Sequence, residues 1–305
     1  MDKEYEVIII GGGPAGLSAG LYSSRAGLKS LLIEKGALGG LITNAELIEN
    51  FPGFPQGISG MELGQLMHQQ ATRHGLETLA AEATGVELEG EKKIAVTTEG
   101  KFGARAVIIA SGSERQKLGI PGEEELTGKG VSYCATCDGP FFKNRTVAVV
   151  GGGDAAITEA LHLVKFASKI KLIHRRNELR ATHALQEKTK AEPKIEYILD
   201  TAVEGIEGKD VVKQLRLSNV VTGEKSTLDV AAVFVAVGLK PSTDYLKGFL
   251  PLDQGGYIAT NEKMETAVPG IFAAGDVRLN SPRQAITAAG DGATAAVYAR
   301  KFITG

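Results

Sequence analysis

An internal near-repeat constrains the fold of this chain more than any other feature of its sequence. VIIIGGGPAGLSAGLYSSRAGLKSLLIE from Val7 aligns without a gap on VAVVGGGDAAITEALHLVKFASKIKLIH from Val147. In each copy a short apolar run ends in a glycine cluster, a helical pattern follows, and a second apolar run closes the segment. Strands that alternate with helices indicate a parallel sheet in an α/β fold, and here the unit is present twice.

The same alternation continues along the chain. Buried strands are predicted at Val7–Ile10, Val107–Ala110, Val147–Val150 and Val233–Val237, and helices at Pro14–Ala26, Gly60–His74, Ala155–Phe166 and Gln284–Arg300. With 305 residues, 43% of them hydrophobic, the chain is long enough for two domains that each bury a core.

The glycines of both copies fit the pattern of a dinucleotide-binding turn, GxGxxG or GxGxxA. The motif positions are Gly11, Gly13 and Gly16 in the first copy and Gly151, Gly153 and Ala156 in the second. The first position makes the turn, the second lets backbone approach a pyrophosphate, and the third lets the helix pack on the strand. The phosphate lies at a helix N-terminus, where free amides and the helix dipole favour an anion. We therefore predict two dinucleotide sites rather than two ordinary tight turns.

The residue that closes each copy is at the position that faces the adenosine ribose, and it indicates which nucleotide binds there. Glu34 stands 23 residues after the first glycine of its copy, and His174 stands 23 residues after the first glycine of the other. A carboxylate accepts hydrogen bonds from ribose hydroxyls and repels a 2′-phosphate, so the first copy suits the ADP half of FAD or NAD. His174 is followed by Arg175, Arg176 and Arg180, whose forked donors suit the 2′-phosphate of NADPH. The alternative is a solvated, charged strand end.

Two further glycine-containing segments are candidates for a flavin site. Gly39 and Gly40 follow Glu34 closely, and IFAAGD ends at Asp276 before the last predicted helix. Asp276 is predicted to hold a ribityl or phosphate-linked hydroxyl of the flavin nucleotide, although an aspartate before a helix is also a common cap. The N-terminus of the Gln284 helix is predicted to face the electron-rich edge of a reduced flavin.

Both cysteines of the chain lie in SYCATCDGPFF, as Cys134 and Cys137. With this spacing the two sulfurs can form a disulfide that opens reversibly. No second cysteine pair is present and the five histidines have no ligand spacing with this one, so we predict no metal site. Two structural cysteines remain the alternative. Asp138 follows directly and is either a turn residue or an acid that exchanges protons with the pair.

Charge and composition exclude several classes of partner. The 34 Lys and Arg against 36 Asp and Glu give a formal charge of −2, which favours neither nucleic acid nor an anionic membrane surface. No apolar stretch approaches the length of a membrane span, and MDKEYEV at the start does not resemble an export signal. We expect a soluble cytoplasmic protein.

The order of the motifs is similar to that of the low-molecular-weight bacterial and archaeal thioredoxin reductases. The resemblance extends from Val7 to Arg300 and includes GGGPAG, YCATCDG, GGGDAA, HRRNELRA, IFAAGD and RQAITAAGDG. The combination of CATCDG with HRRxxxRA is the most specific part, because related flavoenzymes share the nucleotide motifs without this cysteine pair.

The resemblance implies two Rossmann-like dinucleotide-binding domains of the three-layer ββα type. Residues 1–113 and 244–305 would form a discontinuous FAD domain, and the NADPH domain, residues 114–243, would be inserted into it and carry the cysteine pair. It implies a homodimer that transfers a hydride from NADPH to FAD, reduces the Cys134–Cys137 disulfide, and then reduces thioredoxin by thiol–disulfide exchange.

Site residues follow from the resemblance by position. The catalytic set would be Cys134, Cys137 and Asp138. FAD would contact Gly11, Gly13, Pro14, Ala15, Gly16, Glu34, Lys35, Gly39, Gly40, Leu41, Asn50, Gly275, Asp276, Arg283, Gln284 and Ala285. NADPH would contact Gly151, Gly153, Asp154, Ala155, Ala156, His174, Arg175, Arg176 and Arg180.

Two positions depart from the family pattern. Leu41 stands where glutamine is usual, which removes a polar contact near the flavin, and Ala155 stands where a hydroxyl residue is common near the pyrophosphate of NADPH. These departures leave open a flavin disulfide reductase that uses another electron donor or another thioredoxin-like acceptor. A protein of a different class, a flavin-binding redox sensor whose cysteine pair switches conformation without rapid turnover, also stays open.

Overall fold

The computed structural model of the chain describes residues 4–45 and 47–305. Residues 1–3, which belong to the segment used to predict the absence of an export signal, and Glu46 lie outside that range. The strands are β1 Glu4–Ile10, β2 Ser30–Glu34, β3 Glu77–Ala80, β4 Ala83–Glu89, β5 Lys92–Thr97, β6 Gly100–Ile109, β7 Ser113–Arg115, β8 Val131–Ser132, β9 Thr146–Val150, β10 Lys169–Ile173, β11 Ile195–Ile198, β12 Thr201–Glu207, β13 Gln214–Asn219, β14 Lys225–Asp229, β15 Ala232–Val235, β16 Leu239–Pro241 and β17 Ile271–Ala273. The α-helices are α1 Pro14–Arg25, α2 Gly60–Thr72, α3 Ala135–Asp138, α4 Asp154–Leu163, α5 His183–Lys190 and α6 Ala285–Thr304.

Contacts divide the chain into two compact units. One unit contains the residues up to Glu114 together with Lys240–Gly305, and the other is Arg115–Leu239. The resemblance implied domain boundaries after residues 113 and 243. The contacts place the boundaries between the two units after Glu114 and Leu239. We call these the outer unit and the inserted unit.

The outer unit is built on a seven-stranded sheet in the order β3-β2-β1-β6-β5-β4, with β17 paired to β6. β3, β2, β1, β6 and β17 are parallel, and β4 and β5 extend the sheet as antiparallel strands. Alternate residues of β1 point to opposite faces. Val7 and Ile9 enter one core with residues of α1 and α6, and Ile8 and Ile10 enter a second core on the other face.

The inserted unit repeats this plan on a smaller scale. Its parallel sheet has the order β11-β10-β9-β15-β8, and an antiparallel sheet β12-β13-β14 forms a separate layer. Val147 and Val149 pack with residues of α4, while Ala148 and Val150 pack against the antiparallel layer. Helices, parallel sheet and antiparallel sheet therefore make three layers, and the predicted pair of Rossmann-like α/β folds is confirmed.

The four predicted helices are present with small changes at their ends. The second-copy helix ends at Leu163 rather than at Phe166. The reason is a tighter final turn, in which the amides of Lys165 and Phe166 donate to carbonyl oxygens three residues back. Over residues 4–45 and 47–305, none of the helices has both the length and the apolar character needed to cross a bilayer.

Candidate functional site

The turn between β1 and α1 requires glycine at two positions. Gly11 has φ +110°, and a Cβ there would lie 2.2 Å from the carbonyl oxygen of Ala110. A Cβ on Gly16 would lie 1.8 Å from the carbonyl oxygen of Gly11, because α1 packs directly on the turn. The first and third motif glycines therefore serve backbone geometry and packing.

The N-terminus of α1 faces open space. Gly13 is the N-cap residue, Pro14 begins the helix, and Ala15 is buried behind them. A Cβ on Gly13 would have as its nearest neighbour only the carbonyl oxygen of Gly39, at 3.9 Å. The second motif glycine thus leaves a cradle in front of the first helical amides, which is where a pyrophosphate binds in such turns.

Glu34 lies beside this turn at the end of β2. Its Oε2 accepts a hydrogen bond from the amide of Gly12 at 2.6 Å, and its Oε1 accepts one from the amide of Gly36 at 2.7 Å. The two amides hold the half-buried carboxylate at the carboxyl edge of the sheet. A carboxylate has further lone pairs, so Glu34 can still accept hydrogen bonds from ribose hydroxyls.

A cavity of about 540 Å³ in the outer unit begins at this carboxylate, and its lining includes Gly11, Glu34, Lys35, Ser111 and Tyr245. This volume is in the range of small-molecule sites. The ammonium group of Lys35 lies 3.0 Å from Glu114 and 3.4 Å from Glu82. The hydrogen bond to Glu114 raises the pKa of Lys35. The charged ammonium group of Lys35 is therefore paired with carboxylates of the protein.

Gly39, Gly40 and Leu41 lie next to the first turn. The amide of Gly39 donates to the carbonyl oxygen of Gly12 at 2.8 Å, and Gly39 caps the short 3-10 helix that contains Gly40 and Leu41. Leu41 is 39% exposed, so the position where the family has glutamine presents an apolar surface.

The second flavin segment lies at the start of α6. Asn50 Nδ2 donates to Gln284 Oε1 at 3.1 Å, and Ala285 begins the helix. Arg283 has φ +57°, and its guanidinium donates to Tyr257 Oη at 2.7 Å while stacking on that ring. Arg283 is therefore held by Tyr257 in this structure.

Gly275 and Asp276 form the turn after β17. Gly275 is buried, with φ +77°, and Asp276 Oδ2 accepts a hydrogen bond from Ser113 Oγ at 3.4 Å. Burial raises the pKa of the Asp276 carboxyl. Because β1, β2 and β17 are parallel, their carboxyl ends bring this turn, the glycine turn and Glu34 to one edge of the outer sheet. These residues fit FAD.

The second glycine turn has the same construction in the inserted unit. Gly153 is the N-cap of α4, and a Cβ there would meet no atom within 4 Å. Ala156 is buried against Gly151, as the third motif position requires. Asp154 Oδ1 accepts the amide of Thr182 at 2.7 Å. Ala155 is exposed beside the cradle and brings no hydroxyl to it.

His174 differs from the sequence prediction that it faces the ribose. Its side chain is 6% exposed, and the ring lies under Gly152, where a Cβ would be 2.5 Å from the ring atoms Cε1 and Nδ1. Burial lowers the pKa of His174, and the neighbouring Arg180, Arg176 and Arg175 lower it further. The buried, neutral His174 ring therefore packs against Gly152 of the second glycine turn. In the first copy, the Glu34 carboxylate instead accepts a hydrogen bond from the amide of Gly12.

Arg175, Arg176 and Arg180 are exposed. In the described part of the chain no carboxylate forms an ion pair with any of the three. The loop that carries them is fixed on the glycine turn, because the amides of Arg180 and Ala181 both donate to the carbonyl oxygen of Gly152. Three unpaired guanidinium groups near an open helix N-terminus have the charge and donors that suit a polyanion.

Cys134 and Cys137 form a disulfide with a Cα–Cα distance of 5.4 Å, so the predicted pairing is confirmed. Cys134 caps the short helix α3, and its Sγ accepts the amide of Cys137 at 3.2 Å and lies 3.4 Å from Thr136 Oγ1. The amide of Cys134 donates to the buried Ser132 Oγ at 3.0 Å. Cys134 is half-buried and Cys137 is exposed. The amide of Cys137 is therefore placed to stabilise negative charge on the Cys134 sulfur once the disulfide opens.

The structure adds a surface that the sequence analysis missed. A cleft of about 580 Å³ in the inserted unit has Lys129, Asp138, Phe141 and Val211 among its lining residues. Phe141 is 80% exposed, whereas the next residue, Phe142, packs edge-to-face on Phe234. The sequence signal is the aromatic pair after Gly-Pro, Phe141 and Phe142, which the sequence analysis did not assign to a surface. Asp138, at the end of α3, connects this cleft to the disulfide.

A buried carboxylate on α4 was also missed. Glu159 Oε1 accepts a hydrogen bond from Arg115 Nη1, while Oε2 is buried without a partner among the described residues. Burial raises the pKa of Glu159 to about 7, although Arg115 opposes the shift. Sequence spacing alone does not distinguish this residue from a solvated helix glutamate.

Comparisons with known proteins agree with this architecture. The model of the family described as pyridine nucleotide-disulphide oxidoreductase matches residues 5–292. The chain is 43% identical to a thioredoxin reductase of Peptoclostridium acidaminophilum, over 99% of this chain and 98% of that protein. It is 48% identical to one of Streptomyces coelicolor, over 99% and 95%. The crystal structure of Lactococcus lactis thioredoxin reductase in its FR conformation superposes with a TM-score of 0.94 at 42% identity, covering 99% of both chains.

Proposed function

Because the chain belongs to the pyridine nucleotide-disulphide oxidoreductase family, we propose that it reduces thioredoxin by thiol–disulfide exchange at the Cys134–Cys137 pair. The observation that carries this proposal is a redox-capable disulfide at the surface of a unit that also contains a dinucleotide turn. The protein is an oxidoreductase with FAD and NADPH as its cofactors. When bound, these cofactors supply the two electrons that open the disulfide.

We assign FAD to the outer unit. The amides at the N-terminus of α1 would bind the pyrophosphate, Glu34 would accept the ribose hydroxyls, and Asp276 would accept a hydroxyl of the ribityl chain. The open space at Gly13, the cavity at Glu34 and the glycine-rich segment Gly39–Leu41 support the assignment. Lys35 and Arg283 would shape the FAD site through contacts with other protein groups. Glu114 binds the ammonium group of Lys35, and Tyr257 binds the guanidinium group of Arg283.

We assign NADPH to the inserted unit. Its pyrophosphate would lie at the N-terminus of α4, and Arg175, Arg176 and Arg180 would bind the 2′-phosphate. The absence of carboxylate partners for these arginines in the described residues supports the assignment. His174 supports the turn from beneath.

The cysteines perform the exchange in two steps. A thiolate of the reduced pair attacks one sulfur of the acceptor disulfide, which forms a mixed disulfide and releases the other acceptor sulfur as a thiolate that takes up a proton. The second cysteine loses its proton and attacks the bridging cysteine of the pair, which closes the Cys134–Cys137 bond and releases the second acceptor thiolate. Asp138 would exchange the protons, since it follows Cys137 directly and is half-buried.

The cleft beside the disulfide would receive the protein acceptor. An 80% exposed phenylalanine is costly to leave in water, and aromatic residues at the rim of a cleft are typical of protein interfaces. The exposed position of Cys137 leaves the redox centre accessible from the same unit.

Replacing Phe141 by alanine tests this acceptor site. We expect the KM for thioredoxin to rise about tenfold, because the variant loses an aromatic contact of interface type. Turnover of a small aromatic disulfide should stay unchanged, since such a substrate does not need the cleft. Val221→Ala is the matched control, as Val221 is 74% exposed on the same unit but does not line the cleft. Equal loss with both substrates would refute the docking role.

We also propose a homodimer in the cytoplasm. The outer unit exposes apolar residues on three of its helices, namely Tyr22 on α1, Met61 and Leu66 on α2, and Ile286, Val297 and Phe302 on α6. Burying them against a second copy would remove them from water. A reducing compartment suits a protein whose disulfide opens in each cycle. A single-chain mass in sedimentation equilibrium would contradict the dimer.

A turnover assay with alternative donors tests the function as a whole. Thioredoxin is the acceptor, and NADPH, NADH and a reduced ferredoxin are the donors. We expect rapid reduction of thioredoxin with NADPH as the donor, and slow or no reduction with NADH or reduced ferredoxin. Turnover only with reduced ferredoxin would show that the protein is a flavin disulfide reductase that uses another electron donor. Leu41 and Ala155, which depart from the family pattern, are the reason for testing this alternative. Cysteine reduction without turnover on any acceptor would favour the redox sensor.

A further inference from the structure

A largely buried ion pair lies next to the turn that follows β17. Arg278 Nε donates to Asp291 Oδ2 at 2.9 Å, and Arg278 Nη2 donates to Asp291 Oδ1 at 3.2 Å. The side chains are only 16% and 13% exposed. The two-point geometry fixes both groups more firmly than a single contact would.

Each partner of this pair makes a further contact with a different segment. Asp291 Oδ2 also accepts the amide of Gly275 at 3.1 Å, which attaches α6 to the first residue of the turn. Arg278 Nη1 donates to Thr260 Oγ1 at 2.9 Å. Backbone bonds link Ile258 to the residues on either side of Arg278. The pair therefore connects α6, the turn and the segment near Thr260.

Stability alone is a weak explanation for this arrangement. Desolvation of two buried charges offsets much of their attraction, so a buried ion pair is a poor stabiliser compared with apolar residues of similar size. The ion pair instead fixes the position of Asp291, and Asp291 in turn holds the backbone amide of Gly275. Asp276, the acid assigned to the ribityl chain, is the next residue.

We propose that Arg278 and Asp291 are positioning residues that hold the Gly275–Asp276 turn in the orientation in which Asp276 contacts FAD. The proposal rests on the proposed function only in taking FAD as the cofactor of the outer unit. Neither residue is required to touch FAD.

Three polar or charged groups act directly on the Asp276 carboxyl, and Arg278 acts on it only through Asp291. Burial raises the pKa of its carboxyl, the hydroxyl of Ser113 and the charge of Arg283 lower it, and the charge of Asp291 raises it. Arg278 neutralises Asp291 through their paired contact. Only the ionised carboxylate accepts hydroxyl hydrogen bonds at both oxygens. FAD retention should therefore be lost as the pH falls through the pKa of Asp276.

The test measures FAD released from the purified holoprotein as a function of pH, by ultrafiltration and flavin absorbance. Asp291→Asn leaves Arg278 without its anion, so the pH midpoint of release should move down by about 0.5 unit. Arg278→Gln leaves Asp291 without its cation, so the midpoint should move up by about 0.5 unit. At neutral pH both variants should hold FAD about tenfold less tightly, because each loses charge-assisted hydrogen bonds.

Two further variants separate positioning from general destabilisation. Lys101→Gln removes the exposed Lys101–Glu87 ion pair of the same unit and should leave FAD release unchanged. Arg278→Lys keeps the charge and loses the fork, so its midpoint should stay near that of the wild type while its affinity falls. It serves in place of Arg278→Gln if that variant does not fold.

Opposite midpoint shifts support the proposal. Shifts in the same direction, or weaker binding without any shift, would overturn it and leave a structural role only. A wild type that retains FAD while its variants show no change overturns this proposal alone. A wild type that holds no FAD overturns the proposed function and this proposal together.

Discussion

Cys137→Ser should reduce thioredoxin turnover by at least about 1000-fold, because a single remaining thiol cannot close a disulfide and release the acceptor. Cys134 and Cys137 are the only cysteines in the chain, so no other thiol can replace the missing one. FAD should remain bound at the wild-type ratio, since the residues assigned to FAD lie in the outer unit and Cys137 lies in the inserted unit.

The thiol count after treatment with NADPH gives an independent measurement. The wild type should expose two titratable thiols per chain, and Cys137→Ser should expose one that needs no reduction. Cys134→Ser is the matched variant, and its loss of turnover should be of similar size. A Cys137→Ser enzyme that turns over thioredoxin at a tenth of the wild-type rate or more would exclude the dithiol exchange.

The double variant Arg175→Ala/Arg176→Ala should raise the KM for NADPH about 100-fold, at about tenfold for each charge-assisted hydrogen bond lost to the 2′-phosphate. The KM for NADH should change little, because NADH has no phosphate at that position. The preference for NADPH should therefore nearly disappear. The effect should weaken at high salt, since the arginines are exposed and their charges are screened.

Lys188→Ala is the matched control, because it removes an exposed cation from the same unit at a position outside the arginine loop. It should leave both KM values within about twofold of the wild type. Parallel losses with NADPH and NADH in the arginine variant would contradict a 2′-phosphate site and would indicate general damage to the turn.

Much of the fold could be predicted because the signals are local. Apolar β-branched runs, glycines at motif spacing and helical periodicity lie within segments of about 30 residues. They predicted β1, α1 and their counterparts β9 and α4 in the inserted unit. The antiparallel sheet β12-β13-β14 came only with the resemblance, because β13 alternates buried and exposed residues and β14 is mostly exposed, so neither strand forms a continuous apolar run.

The candidate site could be predicted in part. The cysteine pair was found because the chain has only two cysteines, two residues apart. His174 was assigned to the ribose by its register with Glu34, but burial under Gly152 gives it a supporting role. Register specifies where a side chain starts, and packing around it decides where it points.

The two dinucleotide turns, the difference between Glu34 and the arginine loop, and the single disulfide could all be predicted from the sequence, because each depends on residues close together in the chain. Only the folded structure shows that Phe141 is exposed while Phe142 packs on Phe234, and that Asp291 pairs with Arg278 and with the Gly275 amide. Those outcomes depend on which helix and sheet surfaces meet. Such contacts between distant segments form through packing of the whole unit and leave no periodic signal in the sequence.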